Sequence, residues 1–294
     1  MQRIIPNLWF DHVAAEAARF YCATFPNSRV LATQYYPDEG LPDWQADFAG
    51  LPLTIDFELN GCRFTGINAG PEFRPNASIS FFLNFDPASD PHAREHLDQT
   101  WAALTADGQV RMDLQEYPFS RRYGWVEDRY GVHWQLILTN PDGEPRPFIV
   151  PCLTFGPAAD GGARAALQHY AATFDSTDGT LVLQPPGSAL RAGAVLFADV
   201  RLEGVWFAAM DAADLDAPFS CGVSLAAHCA DQAEIDRLWA ALSSVPEAEQ
   251  CGWCVDRYGL SWQILPANLD ELMSAPDATA KLYAMKKIEI SAFG

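Results

Sequence analysis

The chain has 294 residues, 49% of them hydrophobic, enough to bury substantial cores and long enough for about two domains. Thirty-eight acidic against 19 basic residues give a net charge of −19, which repels a phosphate backbone and argues against nucleic acid as a partner. No apolar run approaches the roughly 18 residues of a membrane span, and seven cysteines without framework spacing suit free thiols in a reducing compartment. MQRIIPNLWFDH carries no apolar signal core, so a cytoplasmic protein without a membrane partner is expected.

In chain order, a short apolar segment at 4–10 precedes a helix over about 13–24, where Ala17, Phe20, Tyr21 and Phe25 share a face. Strands follow at 29–36, 51–59 and 62–68, the last two joined by an Asn60–Gly61 tight turn. ISFFLNF at 79–85, a helix over about 91–106, and strands near 110–117, 123–127 and 132–138 complete the first half. The order is strand, helix and three strands, twice over.

The second half repeats the first. GWVEDRYGVHWQLI at 124–137 returns as GWCVDRYGLSWQIL at 252–265, with eight of fourteen residues identical. IIPNLWF at 4–10 returns as IVPCLTF at 149–155, FYCATF at 20–25 as HYAATF at 169–174, and LNGCRF at 59–64 as LEGVWF at 202–207. WAAL at 101–104 recurs at 239–242, so the order of the repeats is conserved along the chain. The Pro/Gly-rich NPDGEPRP at 140–147 separates the copies, giving expected domains 1–143 and 148–294.

DRYG is a turn signature, with Asp first and Gly fourth. On the strand after it Trp134 and Leu136 share one face, and His133, Gln135 and Ile137 the other. The Trp face is expected to meet a helix and the Gln face a cleft.

PNLWFDHVAAEAARFY, FTGINAGPEFRPNASISFF and YGWVEDRYGVHWQLIL, with AKLYAMKKIEIS at 280–291, resemble PhnB-like, demethylubiquinone methyltransferase-like proteins of the vicinal oxygen chelate, or glyoxalase/bleomycin-resistance, superfamily. The resemblance implies an α+β tandem fold of four βαβββ modules forming two clefts. Metal-dependent members chelate a cation there through His and Glu. The last ligand position falls on Gln135 and Gln263, the first near Pro6 (or Ile5 or Asn7), and another near Ser78; the second half offers Pro151 and the stretch 220–222. None of these is an imidazole or a carboxylate, so no metal and no cofactor is expected. The expected cleft residues are Asn7, Trp9, Ser78, Ser80, Trp125, His133, Gln135 and Gln263, with Gln135 and Gln263 pointing into equivalent clefts, and the partner is an unidentified small molecule. On that basis Gln135→Glu should leave folding nearly unchanged. The duplication should supply a pseudo-dimer within one chain, compatible with a monomer. Methyl transfer by a nucleotide-binding fold calls for a Gly-rich strand-to-helix turn, and no G-x-G follows a strand here.

Competing readings are a metal-dependent lyase, isomerase or dioxygenase of the same superfamily, and a structural or interaction role without ligand. HAREH at 92–96 matches a zinc-protease pattern, but its counterpart ADQAEIDRLW has no such pair, which favours a surface helix. CGWC at 251–254 has redox spacing, but it aligns with a strand, not a helix N-terminus. The Trp pairs 101/239, 125/253 and 134/262 suggest framework packing, whereas Trp9 and Trp206 lack Trp counterparts and are candidates for divergence between clefts. Arg121 and Arg122 stand where an anionic ligand could be held.

Overall fold

In the computed structural model the described residues are all except 1, 40, 42, 158–161, 178, 186–189, 191, 192, 216 and 276. The first half contains β1 (Ile4–Phe10), α1 (Ala14–Thr24), β2 (Arg29–Tyr35), β3 (Pro52–Leu59) and β4 (Cys62–Asn68), then β5 (Ile79–Phe85), α2 (Ala93–Thr105), β6 (Gln109–Tyr117), β7 (Ser120–Glu127) and β8 (His133–Leu138). A short 3-10 segment, Asp43–Phe48, interrupts the β2–β3 connection. The second half contains β9 (Ile149–Phe155), α3 (Gly162–Thr173), β10 (Ser176–Thr177), β11 (Leu181–Leu183), β12 (Val195–Leu202), β13 (Val205–Asp211), β14 (Val223–Cys229), α4 (Gln232–Leu242), β15 (Trp253–Val255) and β16 (Ser261–Pro266), with α5 (Leu269–Leu272) and α6 (Ala278–Tyr283) after it. Asn60 and Gly61 both have positive φ (46° and 82°), as do Glu203 and Gly204 at the repeated turn (48° and 79°), which is what a tight hairpin of this hand requires.

The second half departs from the expected pattern twice. The first strand after α3 is split into the short β10 and β11, and the fourth module has only two strands after its helix. The chain between α4 and β15 is about ten residues shorter than its counterpart, too short for another strand. The C-terminal tail covers the edge instead. Cys251 N donates to Met285 O at 2.9 Å and Gly252 N to Lys286 O at 2.7 Å, so these donors are satisfied without a strand.

Among the described residues the strands form two mixed sheets, and each sheet spans both halves. One has seven strands in the order β15-β16-β14-β1-β4-β3-β2; the other has nine, in the order β10-β12-β13-β9-β5-β8-β7-β6 with β11 on β12. The halves join where β1 runs antiparallel to β14, with Asn7 opposite Ser224, and where β5 runs antiparallel to β9, with Ser80 opposite Cys152. Alternation along the strands then assigns the faces. Ile4, Leu8 and Phe10 of β1 and Ile79, Phe81 and Leu83 of β5 enter one large core, together with Trp134 and Trp262. The opposite face of each sheet forms its cleft.

Within each half the two modules are tied across the core by a buried carboxylate. Asp128 accepts Tyr21 Oη–H at 2.7 Å, Trp134 Nε1–H at 2.8 Å, and the amides of Tyr130 and Val132 at 2.8 and 3.0 Å. Asp256 does the same with Tyr170 (2.7 Å), Trp262 (3.0 Å), Tyr258 N (2.8 Å) and Leu260 N (3.0 Å). Burial pushes the Asp128 carboxyl up to about 6, the four donors pulling against it, and raises that of Asp256 for the same reason. Tyr21 sits on α1, against the seven-stranded sheet, and Trp134 lies in the nine-stranded one. The DRYG-x-x-W repeat is therefore the clamp that holds one module to the next.

Candidate functional site

The eight expected residues divide between the two sheets, with Gln135 and Gln263 at equivalent points. Asn7, Trp9 and Gln263 belong to the seven-stranded sheet, whereas Ser80, Trp125, His133 and Gln135 belong to the nine-stranded one. The reason is the strand order: β1 leaves β8 of its own half and pairs with β14 of the other. A cleft assembled from the first half alone does not exist; each cleft takes one module from each half. Ser78 precedes β5 and bonds locally, its Oγ donating to Asn76 Oδ1 at 2.6 Å. Arg122 is tied to Asp98 of α2 at 2.7 Å, and neither it nor Arg121 lines the cavity of either cleft.

At the centre of the nine-stranded sheet Gln135 is 1% exposed. Its Nε2 donates to Ser80 Oγ at 2.7 Å and its Oε1 accepts Tyr123 Oη–H at 2.6 Å. Cys152 lies across from Ser80, its thiol pushed up to about 12 by burial. Gln135 is thus a locked part of the cleft floor, and a carboxylate put there by Gln135→Glu would be buried opposite Ser80. At the equivalent point of the other sheet Gln263 Nε2 donates to Ser224 Oγ at 3.0 Å, and Asn7 stands where Cys152 does. Both donor sets are amides, hydroxyls and a neutral thiol. They do not suit the divalent cation of the metal-dependent superfamily members, which needs anionic oxygen or imidazole. Among the described residues no three His, Cys, Asp or Glu side chains are grouped to hold a metal.

The two clefts are plugged at opposite ends. In the seven-stranded sheet Trp9 packs edge-on against Trp253 (centroids 6.3 Å) and Phe73 (5.1 Å) and donates to Gly70 O at 2.8 Å. In the other sheet the repeat places Thr154 at the position of Trp9. The missing indole leaves a cavity of about 620 Å³ walled by Trp125, His133, Thr154, Met112, Met210 and the Arg111–Glu127 ion pair. Thr154 is 1% exposed and its Oγ1 has no hydrogen-bond partner; the nearby Cys152 thiol is a weak acceptor at best. Trp125 Nε1–H donates to His133 Nδ1 at 3.2 Å, which leaves the ring proton on Nε2. Burial, with Arg111 adding to it and Glu127 opposing, lowers His133 to about 4, so the ring is neutral near pH 7 and presents a donor. The far end of this cleft is closed by Phe82, Phe197 and Trp206.

Sequence reasoning missed Arg111, Glu127, Thr154 and the two methionines. Strand parity and the Trp9/Thr154 mismatch were the available signals. The other motifs have structural roles. His92 and His96 are exposed and bonded to Glu95 and Asp90, each at 2.7 Å. Cys251 and Cys254 sit at the start of β15 with thiols raised by burial, and all seven cysteines are free.

Comparison with known proteins agrees with this architecture. Maize glyoxalase I superposes over 92% of this chain and 96% of its own, with TM-score 0.53 and 11% identity; its E144Q mutant gives 90%, 95%, 0.52 and 10%. The PhnB protein of Bacillus cereus is 31% identical over 47% of this chain and all of its own, with TM-score 0.41. No curated protein matches the chain. The family described as 3-demethylubiquinone-9 3-methyltransferase matches residues 2–137 and again 147–265. The chain therefore belongs to that PhnB-like family, as a tandem duplication, and shares the fold of glyoxalase I.

Proposed function

We propose that this protein binds one small organic molecule in the cleft of the nine-stranded sheet, without a metal ion. The observation that carries the reading is the Thr154 wall: a cavity of about 620 Å³ lined by Thr154 where the other sheet has Trp9, beside a buried Thr154 hydroxyl without a partner. A buried polar group of this kind costs free energy until something bonds to it. Trp125, Met112 and Met210 offer an apolar and aromatic surface, and Thr154 and His133 Nε2 offer two donors. The ligand they suit has an apolar body and an accepting oxygen. Methyl transfer, which the family description names, draws no support from this cleft, where the Cys152 thiol is held protonated by burial and the Glu127 carboxylate is paired with Arg111. On the cleft floor, Gln135, Ser80 and Cys152 offer a divalent cation an amide, a hydroxyl and a neutral thiol in place of anionic oxygen or imidazole, and Glu127 is already paired with Arg111.

The test combines elemental analysis with ligand screening. Protein purified without chelator should carry well under one equivalent of zinc, iron, nickel or manganese. A screen by thermal shift and tryptophan fluorescence should find aromatic carbonyl or carboxylate compounds whose binding quenches Trp125 and is lost in Thr154→Trp. One equivalent of metal per cleft, or hits indifferent to Thr154→Trp, would move the metal-dependent enzyme or the ligand-free role ahead.

A further inference from the structure

We infer that the cleft of the seven-stranded sheet is a second ligand site, chemically distinct from the first, for a small zwitterion bearing an amine and an acid group. The repeat makes the comparison direct. Where the nine-stranded sheet is closed by Phe82, Phe197 and Trp206, the seven-stranded sheet has Ala226, Thr54 and Arg63. The smaller and polar side chains leave a cavity of about 270 Å³, lined by Asn7, Asp56, Arg63, His228, Gln263 and Asp270 among others. At roughly 30 Å³ per water-sized group this holds about nine non-hydrogen atoms.

Three observations set the ligand's chemistry. Asn7 lines the cavity and is 4% exposed, and its buried Oδ1 has no hydrogen-bond partner, so the wall holds an acceptor still to be satisfied. Asp56 is fixed in place by Thr65 Oγ1–H at 2.6 Å, and Asp270 by Gln34 Nε2–H at 2.6 Å. These are two carboxylates for a cation, with the Arg63 guanidinium for an anion. Burial and Arg63 together depress the His228 imidazole, against Asp56 and Asp270, so it adds a neutral polar wall.

The third observation is that the protein already seats a cation at the related position. Asp56 corresponds to Asp199, each being paired across its hairpin with the matching residue, Thr65 or Ala208. Asp199 accepts Arg146 Nε–H from the inter-domain linker at 2.9 Å, and the same guanidinium lies over the Trp206 ring at 4.1 Å. In the nine-stranded sheet the chain supplies its own cation to this carboxylate. In the seven-stranded sheet the Trp206 position is Arg63, which offers no ring to stack on but a guanidinium to which an acid can bind. A molecule with both charges satisfies Asp56 and Arg63 at once.

The experiment is saturation-transfer NMR and calorimetry on the full chain with β-alanine and L-lysine as zwitterions, putrescine as cation and glutarate as anion. The zwitterions should bind about tenfold or more tightly than either probe of one charge sign, and Asp56→Asn and Asn7→Val should each weaken them about tenfold. Asp56 is half-buried on a strand, so Asp56→Asn keeps the test open if Asn7→Val fails to fold. Thr154→Trp, which fills the other cleft, should leave zwitterion binding unchanged. No zwitterion binding, equal binding of glutarate, indifference to Asp56→Asn, or loss in Thr154→Trp each overturns the inference, and only the last implicates the first cleft.

Discussion

Tyr21→Phe removes one oxygen from the centre of the first half and nothing else. The Tyr21 hydroxyl is fully buried and donates at 2.7 Å to Asp128, which is 4% exposed, so no water replaces it. A hydrogen bond to a buried charged group is worth roughly 1.5–3 kcal/mol, and about 2 kcal/mol of destabilisation is expected at pH 8. The pH dependence follows from the carboxyl's shift. Its folded pKa of about 6 stands above its ordinary 3.8, so the folded state binds the proton more tightly than the unfolded chain. The resulting stabilisation is fully present below 3.8 and is lost as pH rises through about 6, amounting to about 3 kcal/mol at 1.36 kcal/mol per unit. Tyr21 is one of the donors that hold the carboxyl down, so Tyr21→Phe should raise it further. The penalty of the variant should therefore be largest at pH 8 and shrink toward pH 5. Equilibrium urea unfolding across that range, with an unchanged m-value, reads it directly. A penalty under about 0.5 kcal/mol, or one indifferent to pH, would refute the view that Asp128 is an ionised hub near neutrality. Tyr170→Phe should behave alike, and the double variant should be close to additive because the two hubs share no partner.

Gln135→Glu should lower stability by about 2 kcal/mol or more at pH 8, since it buries a carboxylate in place of the amide that donates to Ser80; a thermal midpoint equal to wild type would show that the floor opens to solvent. Removal of residues 277–294 strips the Met285 and Lys286 carbonyls from the amides of Cys251 and Gly252 and exposes the contacts of Ile288 and Phe293; a loss of about 3 kcal/mol or more is expected in denaturant unfolding. NMR of His133 should show a neutral ring with its proton on Nε2 and no titration above about pH 5. Light scattering should give the mass of one chain, because the β1–β14 and β5–β9 pairings are satisfied in cis.

The sequence by itself determined the duplication, the order of elements in the first half and the face of the strand that carries Gln135. These are local matters. Alternation on β8 separates Trp134 from Gln135 whatever lies beyond, and Asn60–Gly61 sets its hairpin through backbone sterics alone. It also carried the superfamily, through phrases dense in turn and core residues. Only the tertiary structure decided which modules share a sheet. Pairing of β1 with β14 rather than with its own half is a long-range choice that leaves no mark on local periodicity, and it redistributed the expected cleft residues between two sites. The role of Asp128 was hidden for the same reason: in sequence it begins a turn, and its partner Tyr21 lies 107 residues away on a helix. Whether a cleft is open also depends on volume contributed from across the sheet. Trp9 closes one end only because Trp253 and Phe73 stand against it, and Thr154 opens the other because nothing replaces the indole.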